Sequence, residues 1–360
     1  MPHREAEDLA NRIAAAQQEF SPEVTYLNTA TIGLPPRRTL LAVQAALDAW
    51  QRGTADAVGY DRAVDASPEC FARLVGVDAQ DVAVGAQVSP LVGLVAASLA
   101  PGSEVLTAAG EFTSVLFPFL AHADRGVRVR EVPLEALAGS VTTSTTLVAV
   151  SAAQSSDGRL ADLDALREAC AATGTRTLID ATQAAGWLPI DASRWTYTVT
   201  GGYKWLLAPR GTALMTVAPQ ARDSLRPVAA GWYAGEDRWA SIYGGPLRLA
   251  SDARRLDISP AWFSWVGQAA SLALLLEVGV PALHDHATGL ARRFCEATDL
   301  PVTGSAIVAA EADEQVPALL AEHRIAAATR AGRLRLSFHV STSTADVDHA
   351  AAVLAGHLRP

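Results

Sequence analysis

Short apolar runs alternate with longer amphipathic runs through the middle of the chain. The apolar runs have the length and composition of buried strands, and helical periodicity fills the segments between them. The seven predicted strands are 82–84, 104–108, 127–132, 146–152, 176–180, 197–201 and 211–217, with helices over 91–99, 113–123 and 162–172. Buried strands that alternate with helices are typical of a mostly parallel sheet covered on both faces. This part is therefore predicted to be α/β.

The pattern changes near Ser259. Helices are predicted over 262–278 and 282–297, short strands over 306–309 and 333–338 with a helix between them, and a last helix over 344–358. We therefore predict a large domain over residues 25–258 and a smaller C-terminal α+β domain over residues 259–360. Residues 1–24 are expected to form an N-terminal segment that packs on the small domain.

Charge and hydropathy argue against binding to nucleic acid or to membranes. The net charge of −9 argues against nucleic acid and anionic membranes, which both favour basic surfaces. The chain starts with MPHREAEDLANR, which lacks the apolar core of a secretory signal. The longest apolar stretch, near 91–99, is too short to span a bilayer. A cytoplasmic protein without a membrane partner is expected.

Cysteines and histidines do not indicate a metal site. Cys70, Cys170 and Cys295 lie in alanine-rich helical patterns without a C-x-x-C pair, which predicts buried free thiols. His284 and His286 are two positions apart, a spacing that matches no common metal motif. No metal is expected.

Lysine occurs once, as Lys204, whereas arginine occurs 28 times. Arginine cannot replace lysine where a neutral amine must react, because the guanidinium stays protonated in proteins. The neighbours of Lys204, TGGYKWLLAPRG, are apolar and glycine-rich, unlike the surroundings of a surface lysine. We therefore predict that Lys204 carries pyridoxal 5'-phosphate (PLP) as a Schiff base.

PLP chemistry also needs an acid beside the pyridine nitrogen. Asp180 ends a predicted strand 24 residues before Lys204, and the carboxyl end of a parallel strand faces the ligand crevice. We predict that Asp180 holds the pyridinium proton and that Gln183 donates to the phenolate oxygen of the cofactor. The alternative for Asp180 is a helix N-cap.

The phosphate needs backbone N–H groups and hydroxyls. The chain turns from a strand into a helix at 85–89, so the amides of Gln87 and Val88 are predicted to hold the phosphate, with Tyr203 adding a phenolic donor. An ordinary turn between a strand and a helix is the alternative.

Two further residues have candidate roles. Phe112 follows a predicted strand and is predicted to stack on the pyridine ring, with core packing as the alternative. Arg335 lies in the alternating segment GRLRLSFHV and is predicted to bind the substrate carboxylate. The alternative, a solvated edge charge, fits Arg333 better.

These segments resemble the class V aminotransferase family of fold-type I PLP enzymes, which includes cysteine desulfurases and isopenicillin-epimerase-like members. The resemblance rests on YLNTATIGLPP, GEFTSVLFPFL, LIDATQAAGWLPID, GGYKWLLAPRG and RAGRLRLSFHVSTSTADVD. It implies a fold-type I PLP-dependent transferase with a mostly parallel seven-stranded sheet. It also implies the roles given above for Lys204, Asp180, Gln183 and Phe112.

The resemblance implies three more contacts and a partner. Asn28 is implied beside Arg335 at the substrate carboxylate, and Gln154, ahead of Ser155, at the cofactor. Ser259 matches a position that reaches the phosphate across a dimer interface, so a homodimer with shared active sites is implied.

The chain also departs from its relatives. Gly201-Gly202-Tyr203 replaces a common serine-glycine-histidine before the lysine, and Ala86-Gln87-Val88 replaces a common glycine-threonine-threonine turn. No cysteine follows Cys295, so the mobile thiol that a cysteine desulfurase requires is missing and persulfide chemistry is not expected.

The expected function is that of a PLP-dependent enzyme acting on an amino acid, in which Lys204 removes the Cα proton. Transamination is favoured by analogy with the family. A β-eliminating C–S lyase acting on a cysteine conjugate is the first alternative, and an epimerase follows. A non-catalytic protein that retains the PLP fold is the third.

Overall fold

The computed structural model describes residues 2–360, which form ten α-helices and thirteen strands. The α-helices are α1 (Pro2–Gln17), α2 (Arg37–Gln51), α3 (Ala57–Val75), α4 (Val88–Ser98), α5 (Thr113–Leu120), α6 (Leu163–Thr173), α7 (Trp262–Val278), α8 (Val280–Ala297), α9 (Val316–Glu322) and α10 (Thr344–Leu354). The strands are β1 (Thr25–Tyr26), β2 (Val82–Gly85), β3 (Glu104–Ala108), β4 (Arg128–Val132), β5 (Thr145–Ser151), β6 (Arg176–Asp180), β7 (Tyr197–Gly201), β8 (Ala213–Val217), β9 (Ile307–Ala312), β10 (Ile325–Ala326), β11 (Ala328–Arg330), β12 (Arg333–Ser337) and β13 (Leu358–Arg359).

The central sheet has seven strands in the order β2-β8-β7-β6-β5-β3-β4, which confirms the predicted α/β fold. Five neighbouring strands, β4, β3, β5, β6 and β7, are parallel, and β8 runs antiparallel to both β7 and β2. The carboxyl ends of β2, β3, β5, β6 and β7 therefore lie at one edge of the sheet. Crevices at this edge are where open parallel sheets bind ligands.

Both faces of the sheet are buried, as the near-continuous apolar strands predict. In β2, Val82 and Val84 pack in one hydrophobic cluster, whereas Ala83 packs in the cluster on the opposite face. The period-two alternation of strand side chains makes each strand contribute to both clusters. This double covering makes the sheet a rigid support for the loops that follow its strands.

The C-terminal part of the chain contains a second, four-stranded sheet in the order β11-β12-β9-β13. Its own hydrophobic cluster includes Leu334, Leu336 and Phe338. The predicted last helix over 344–358 is too long, because α10 ends at Leu354 and Leu358 belongs to β13, which pairs with β9. Gly356 lies between them with a left-handed φ of 81°, a conformation that ends a helix readily.

The N-terminal segment connects the two sheets. Helix α1 contacts α7 and α8, and β1 pairs with β10. Beyond β1, Asn28 bridges to Ser337, and the backbone N–H of Gly33 donates to the carbonyl of Tyr203 at 2.9 Å. The division at residues 24 and 258 stays a prediction.

No single helix among the described residues is both long and apolar enough to cross a membrane. Helices α7 and α8 meet the length and composition limits together, but the chain bends by 83° between them.

Candidate active site

The candidate site lies at the carboxyl ends of five strands. Each strand is followed within a few residues by one or two side chains that meet at a common cavity. These side chains are Gln87 and Val88 after β2, Phe112 after β3, Ser155 after β5, Gln183 after β6, and Tyr203 and Lys204 after β7. The cavity has an empty volume of about 570 Å³ and is also lined by Ser114, Ser151, Asp180, Thr182 and Arg210.

Lys204 is buried, with 5% of its surface exposed. Its Nζ lies 5.3 Å from the centroid of the Phe112 ring and 5.7 Å from that of Tyr203. Burial lowers the pKa of Lys204 to about 8, Asp180 partly opposes this shift, and the nearby Arg335, Arg330 and Arg210 add to it. Among the described residues no side chain accepts a hydrogen bond from Nζ. This amine therefore loses its proton more readily than an exposed lysine does, and no hydrogen-bond acceptor among those residues competes for it.

Asp180 is buried at the end of β6, and its Oδ1 accepts a hydrogen bond from the backbone N–H of Thr182 at 2.8 Å. No helix follows it, so the alternative of a helix N-cap does not describe this residue. Burial raises its pKa to about 6, bonds to Thr182 oppose the shift, and the negative charge of Glu111 adds to it. The cavity is thus lined, at the carboxyl end of β6, by an acid whose pKa is higher than that of an exposed aspartate.

Glu111 is a buried carboxylate that sequence reasoning missed. It accepts hydrogen bonds from the backbone of Phe112 at 2.7 Å, from the backbone and hydroxyl of Ser151 at 2.8 and 2.6 Å, and from Gln154 at 3.2 Å. Four donors and no acceptor suit an ionised carboxylate. Glu111 thereby links the loop after β3 to the loop after β5.

The side-chain amide of Gln183 makes three hydrogen bonds within the protein. Its Nε2 donates to the carbonyl of Ala30 at 2.9 Å and to the hydroxyl of Ser155 at 3.1 Å, and its Oε1 accepts from Trp205 at 2.8 Å. Both amide hydrogens are therefore engaged before any ligand binds. The Ser155 hydroxyl, which accepts from Gln183 and Arg335, keeps its own hydrogen for the cavity.

Helix α4 begins at Val88, and its N-cap residue Gln87 makes no side-chain capping bond. The first N–H groups of a helix have no partner within the helix and attract anions. Tyr203 and Arg210 lie near this end of the cavity, with the Arg210 guanidinium 5.2 Å from the Tyr203 ring centroid. The arrangement provides amides, a phenol and a cation for a phosphate.

Phe112 caps α5 at its N-terminus, and 40% of its surface is exposed. The alternative of core packing does not fit this exposure. Its ring lies next to the Lys204 amine and lines the cavity, where an aromatic ring can stack on a planar ligand.

Arg335 lies on β12 with 2% of its surface exposed, so a solvated edge charge does not describe it. Its Nη1 donates to the carbonyl of Ser155 and its Nη2 to the hydroxyl of Thr31 at 2.8 Å. Burial, reinforced by the positive charge of Arg330, lowers the pKa of Arg335 to about 10. No carboxylate of the described residues forms an ion pair with it. A buried guanidinium without an anion is suited to take one from a ligand.

Asn28 lies nearby on the segment that bridges to Ser337, and its buried Oδ1 has no hydrogen-bond partner among the described residues. By contrast, Arg333 donates to the carbonyl of Ala309 on the neighbouring strand. The two arginines share a face of β12 in the alternating pattern, yet they differ in surroundings, because Arg335 is buried and Arg333 is only partly buried.

Gln154 and Ser259 are not brought to the cavity of this protomer. Gln154 donates to Glu111 and to the carbonyl of Ser151, whereas its neighbour Ser155 lines the cavity. Ser259 is exposed beside Gly85 and Ala86, in a separate small cavity. The roles of both residues stay predictions.

The comparison with protein families agrees with this geometry. The model of the family described as aminotransferase class-V matches residues 85–317, more than half of the chain. The chain belongs to the aminotransferase class-V family. Its members are PLP enzymes, so the predicted enzyme class and cofactor are confirmed.

Individual relatives differ in their reactions. The chain is 28% identical over 308 residues to an uncharacterised aminotransferase, YcbU, of Bacillus subtilis strain 168, covering 78% of this chain and 80% of that protein. It is 32% identical over 130 residues to isopenicillin N epimerase of Streptomyces clavuligerus, covering 33% of this chain and 31% of the epimerase. The structure of the cystine C–S lyase C-DES with cysteine persulfide has a TM-score of 0.84 at 21% identity, over 94% of this chain and 98% of that one. That likeness shows the fold.

The residues of this class V member fit PLP. A buried amine without a partner, an acid of raised pKa, a helix N-terminus with free amides and an aromatic ring line one cavity. These are the types of group that the aldehyde, the pyridine nitrogen, the phosphate and the ring face of the cofactor require. The assignment of each residue to its part of the cofactor stays a prediction.

Glu111, Thr31, Arg210 and Arg330 are the residues that sequence reasoning missed. The sequence contains a weak signal for Glu111, since it precedes the predicted stacking residue Phe112 in an otherwise apolar segment. Thr31 and Arg330 are about three hundred positions apart and carry no spacing signal. Only the fold brings them together.

Proposed function

We propose that this class V enzyme is an aminotransferase that acts on an amino acid through Lys204. The observation that carries the proposal is the Lys204 amine, which is buried, without a hydrogen-bond acceptor, and aimed into a cavity lined by Asp180 and Phe112. PLP, when bound, supplies an aldehyde that bonds to amines and a ring that withdraws electrons from the substrate Cα.

The protein's own residues would do the rest. Lys204, whose pKa is lowered to about 8, would accept the proton of the substrate Cα and hold it for return. Asp180 would hold a proton on the pyridine nitrogen through its negative charge, because a carboxylate with a pKa of about 6 is still mostly ionised at neutral pH. Phe112 would stack on the ring of the cofactor and exclude water from that side.

Arg335 and Asn28 would orient the substrate. The planar guanidinium of Arg335 offers two parallel N–H groups to the α-carboxylate, and its hydrogen bonds to Ser155 and Thr31 restrict its rotation. Asn28 would donate to the carboxylate through its Nδ2 amide, because its unpartnered Oδ1 can only accept. Holding the carboxylate fixes which bond of Cα stands across the cofactor ring.

Borohydride reduction of the purified holoenzyme followed by peptide mapping tests the attachment. The label is expected on the peptide that contains Lys204 and is expected to be lost in Lys204→Ala. A transaminating enzyme will also convert its bound cofactor to the amine form when an amino donor is added without an acceptor, which is visible in the absorbance spectrum. A label elsewhere, or none, would contradict the proposal.

A β-eliminating C–S lyase is the second candidate, because the fold matches the cystine C–S lyase over nearly the whole chain. Incubation with S-substituted cysteines separates the two, since a lyase releases pyruvate and ammonia in equal amounts whereas an aminotransferase needs a keto acid. Epimerisation, suggested by the partial match to isopenicillin N epimerase, is detected by inversion of configuration at Cα, measured by chiral chromatography of the recovered amino acid.

Desulfurase chemistry is not proposed. Cys170 and Cys295 are buried in α6 and α8, and burial raises the pKa of each thiol to about 11. Cys70 lies in α3, and none of the three lines the cavity. Protonated thiols in helices are poor nucleophiles, so they are unsuited to accept sulfur from a substrate.

The proposal includes a homodimer with shared active sites. Helix α2 exposes Leu40, Leu41 and Trp50, and a largely apolar groove beside it continues to Pro209 and Arg210, next to the Lys204 loop. A second copy seated there would lie close to the cavity, and the exposed Ser259 is the proposed contribution to the partner's phosphate site. The three free cysteines suit a reducing compartment and support the proposed cytoplasmic location.

A further inference from the structure

Two arginines close to the cavity donate to one hydroxyl, and the charges of both act on the Lys204 amine. Nη2 of Arg335 donates to Thr31 Oγ1 at 2.8 Å, and Nη2 of Arg330 donates to the same oxygen at 3.3 Å. Neither guanidinium forms an ion pair with a carboxylate among the described residues. Two like charges that share one neutral acceptor repel each other, so the arrangement is stabilised when anions bind.

The two arginines differ in depth. Arg335 is buried and bonded to Ser155, which lines the cavity, whereas Arg330 is exposed and held through Nη1 by the carbonyl of Thr329 at 2.8 Å. The inner guanidinium is suited to the α-carboxylate proposed above. The outer one then has no partner on a substrate whose side chain is uncharged.

We infer that the substrate carries a second anionic group on its side chain, such as that of a dicarboxylic amino acid, and that Arg330 binds it while Arg335 binds the α-carboxylate. The inference rests on the proposed function and names the class of substrate that this site selects. The carboxylates of Asp180 and Glu111 accept hydrogen bonds from Thr182 and Ser151. They do not neutralise Arg330 or Arg335, so both guanidinium groups are left to bind anions of the substrate.

Arg333 provides a matched control. It pairs directly with Arg330 across β11 and β12, so both residues belong to the same sheet and carry the same charge. Its guanidinium donates to the carbonyl of Ala309 and not to Thr31. Removing the charge at position 333 changes the overall field almost as much as removing it at position 330 but leaves the proposed contact intact.

The test uses ligands that cannot react. Glutarate, which has two carboxylates, and its monoamide glutaramate, which has one, are titrated into the holoenzyme by isothermal calorimetry in the unchanged protein, Arg330→Gln and Arg333→Gln. A hydrogen bond between charged groups contributes a factor of roughly ten to a hundred in affinity. We expect glutarate to bind the unchanged protein and Arg333→Gln at least tenfold more tightly than glutaramate. This preference should vanish in Arg330→Gln.

Two results would overturn the inference. One is equal affinity of the unchanged protein for the two ligands. The other is an equal loss of both affinities in Arg330→Gln, which would make Arg330 a second contact of the first carboxylate. Neither result depends on which reaction is catalysed, because glutarate and glutaramate carry no amine. A failure of the proposed transamination is therefore read separately, from the spectra with amino donors.

Discussion

At the scale of single residues, the chemistry depends on charges that the fold keeps out of water. Lys204 was found from the sequence because it is the one lysine, and Asp180 because it ends a strand. Their altered pKa values have a cause that no spacing shows, since burial is set by the packing of distant segments. For the same reason Glu111 was missed, because its four donors come from two loops.

The buried charge of Lys204 should cost stability in the protein without cofactor. Its pKa is about 8 in the folded state and near 10.5 when exposed, so between these values the unfolded state binds more protons. Stability from this group therefore rises with pH from 8 to 10.5. Lys204→Met should stabilise the cofactor-free protein on the order of 2 kcal/mol at pH 7, and the gain should shrink toward pH 10.5.

Urea unfolding of the two proteins at pH 7, 9 and 10 measures this difference. Because both proteins share every other titrating group, those contributions cancel. A gain that stays constant over the range would show that the amine is not desolvated as described.

Asp180→Asn separates charge from shape at the acid. Asparagine keeps a carbonyl oxygen that accepts from Thr182, but it cannot carry the negative charge that would hold the pyridine-nitrogen proton. We expect kcat to fall about a hundredfold or more, in line with the loss of one well-placed electrostatic contact in an active site, while borohydride still labels Lys204. Asp191→Asn, a change at a residue outside the cavity, should leave both unchanged. Undiminished kcat in Asp180→Asn would remove Asp180 from the mechanism.

At the scale of elements, hydrophobic periodicity predicted which segments form the central sheet. Strands β3, β6 and β7 begin and end at the predicted residues, since their apolar runs are bounded by turn residues. The two-residue strands β1 and β10 were not predicted, because each exists only through pairing with the other. Strand β13 was not predicted either, because it forms only by pairing with β9, and the sequence pattern extended the last helix to residue 358.

The loop that carries Lys204 lies in close contact with the chain that follows β1, at Gly33. A Cβ added to Gly33 would lie 2.0 Å from the carbonyl oxygen of Lys204, so the backbone would have to move. We expect Gly33→Ala to lower the free energy of unfolding by about 1–3 kcal/mol and to weaken cofactor retention. Gly93 in α4 has open space around it, and Gly93→Ala should raise that free energy by about 0.5–1 kcal/mol through better helix propensity.

Thermal unfolding and dialysis against cofactor-free buffer measure the two effects. If Gly33→Ala keeps its cofactor as firmly as Gly93→Ala does, the contact between the N-terminal segment and the lysine loop has no role in the site.

At the scale of the whole molecule, the protein is acidic overall but has a local cluster of positive charges beside the cavity. The net charge is −9, yet Arg210, Arg330 and Arg335 all act on the Lys204 amine. The sequence predicts the overall charge directly, but the local excess arises only when two separate segments meet, the loop that carries Arg210 and the β11–β12 hairpin. Composition therefore argues against nucleic acid as a partner but does not indicate where an anionic substrate would bind.

The proposed homodimer can be tested by placing a charge on the exposed face of α2. Leu41 on α2 is 63% exposed beside the apolar groove that reaches the lysine loop, and Val302 is 53% exposed on a loop that does not line this groove. A buried carboxylate without a partner is strongly unfavourable at an interface, whereas one on a free surface is solvated. Leu41→Glu should therefore shift the protein from dimer to monomer in light scattering after gel filtration, and Val302→Glu should remain dimeric. Because Ser259 is proposed to complete the partner's phosphate site, the monomer should also lose PLP on dialysis. A dimer that survives Leu41→Glu would mean that the copies associate through another face, and a monomeric unchanged protein would remove the shared site altogether.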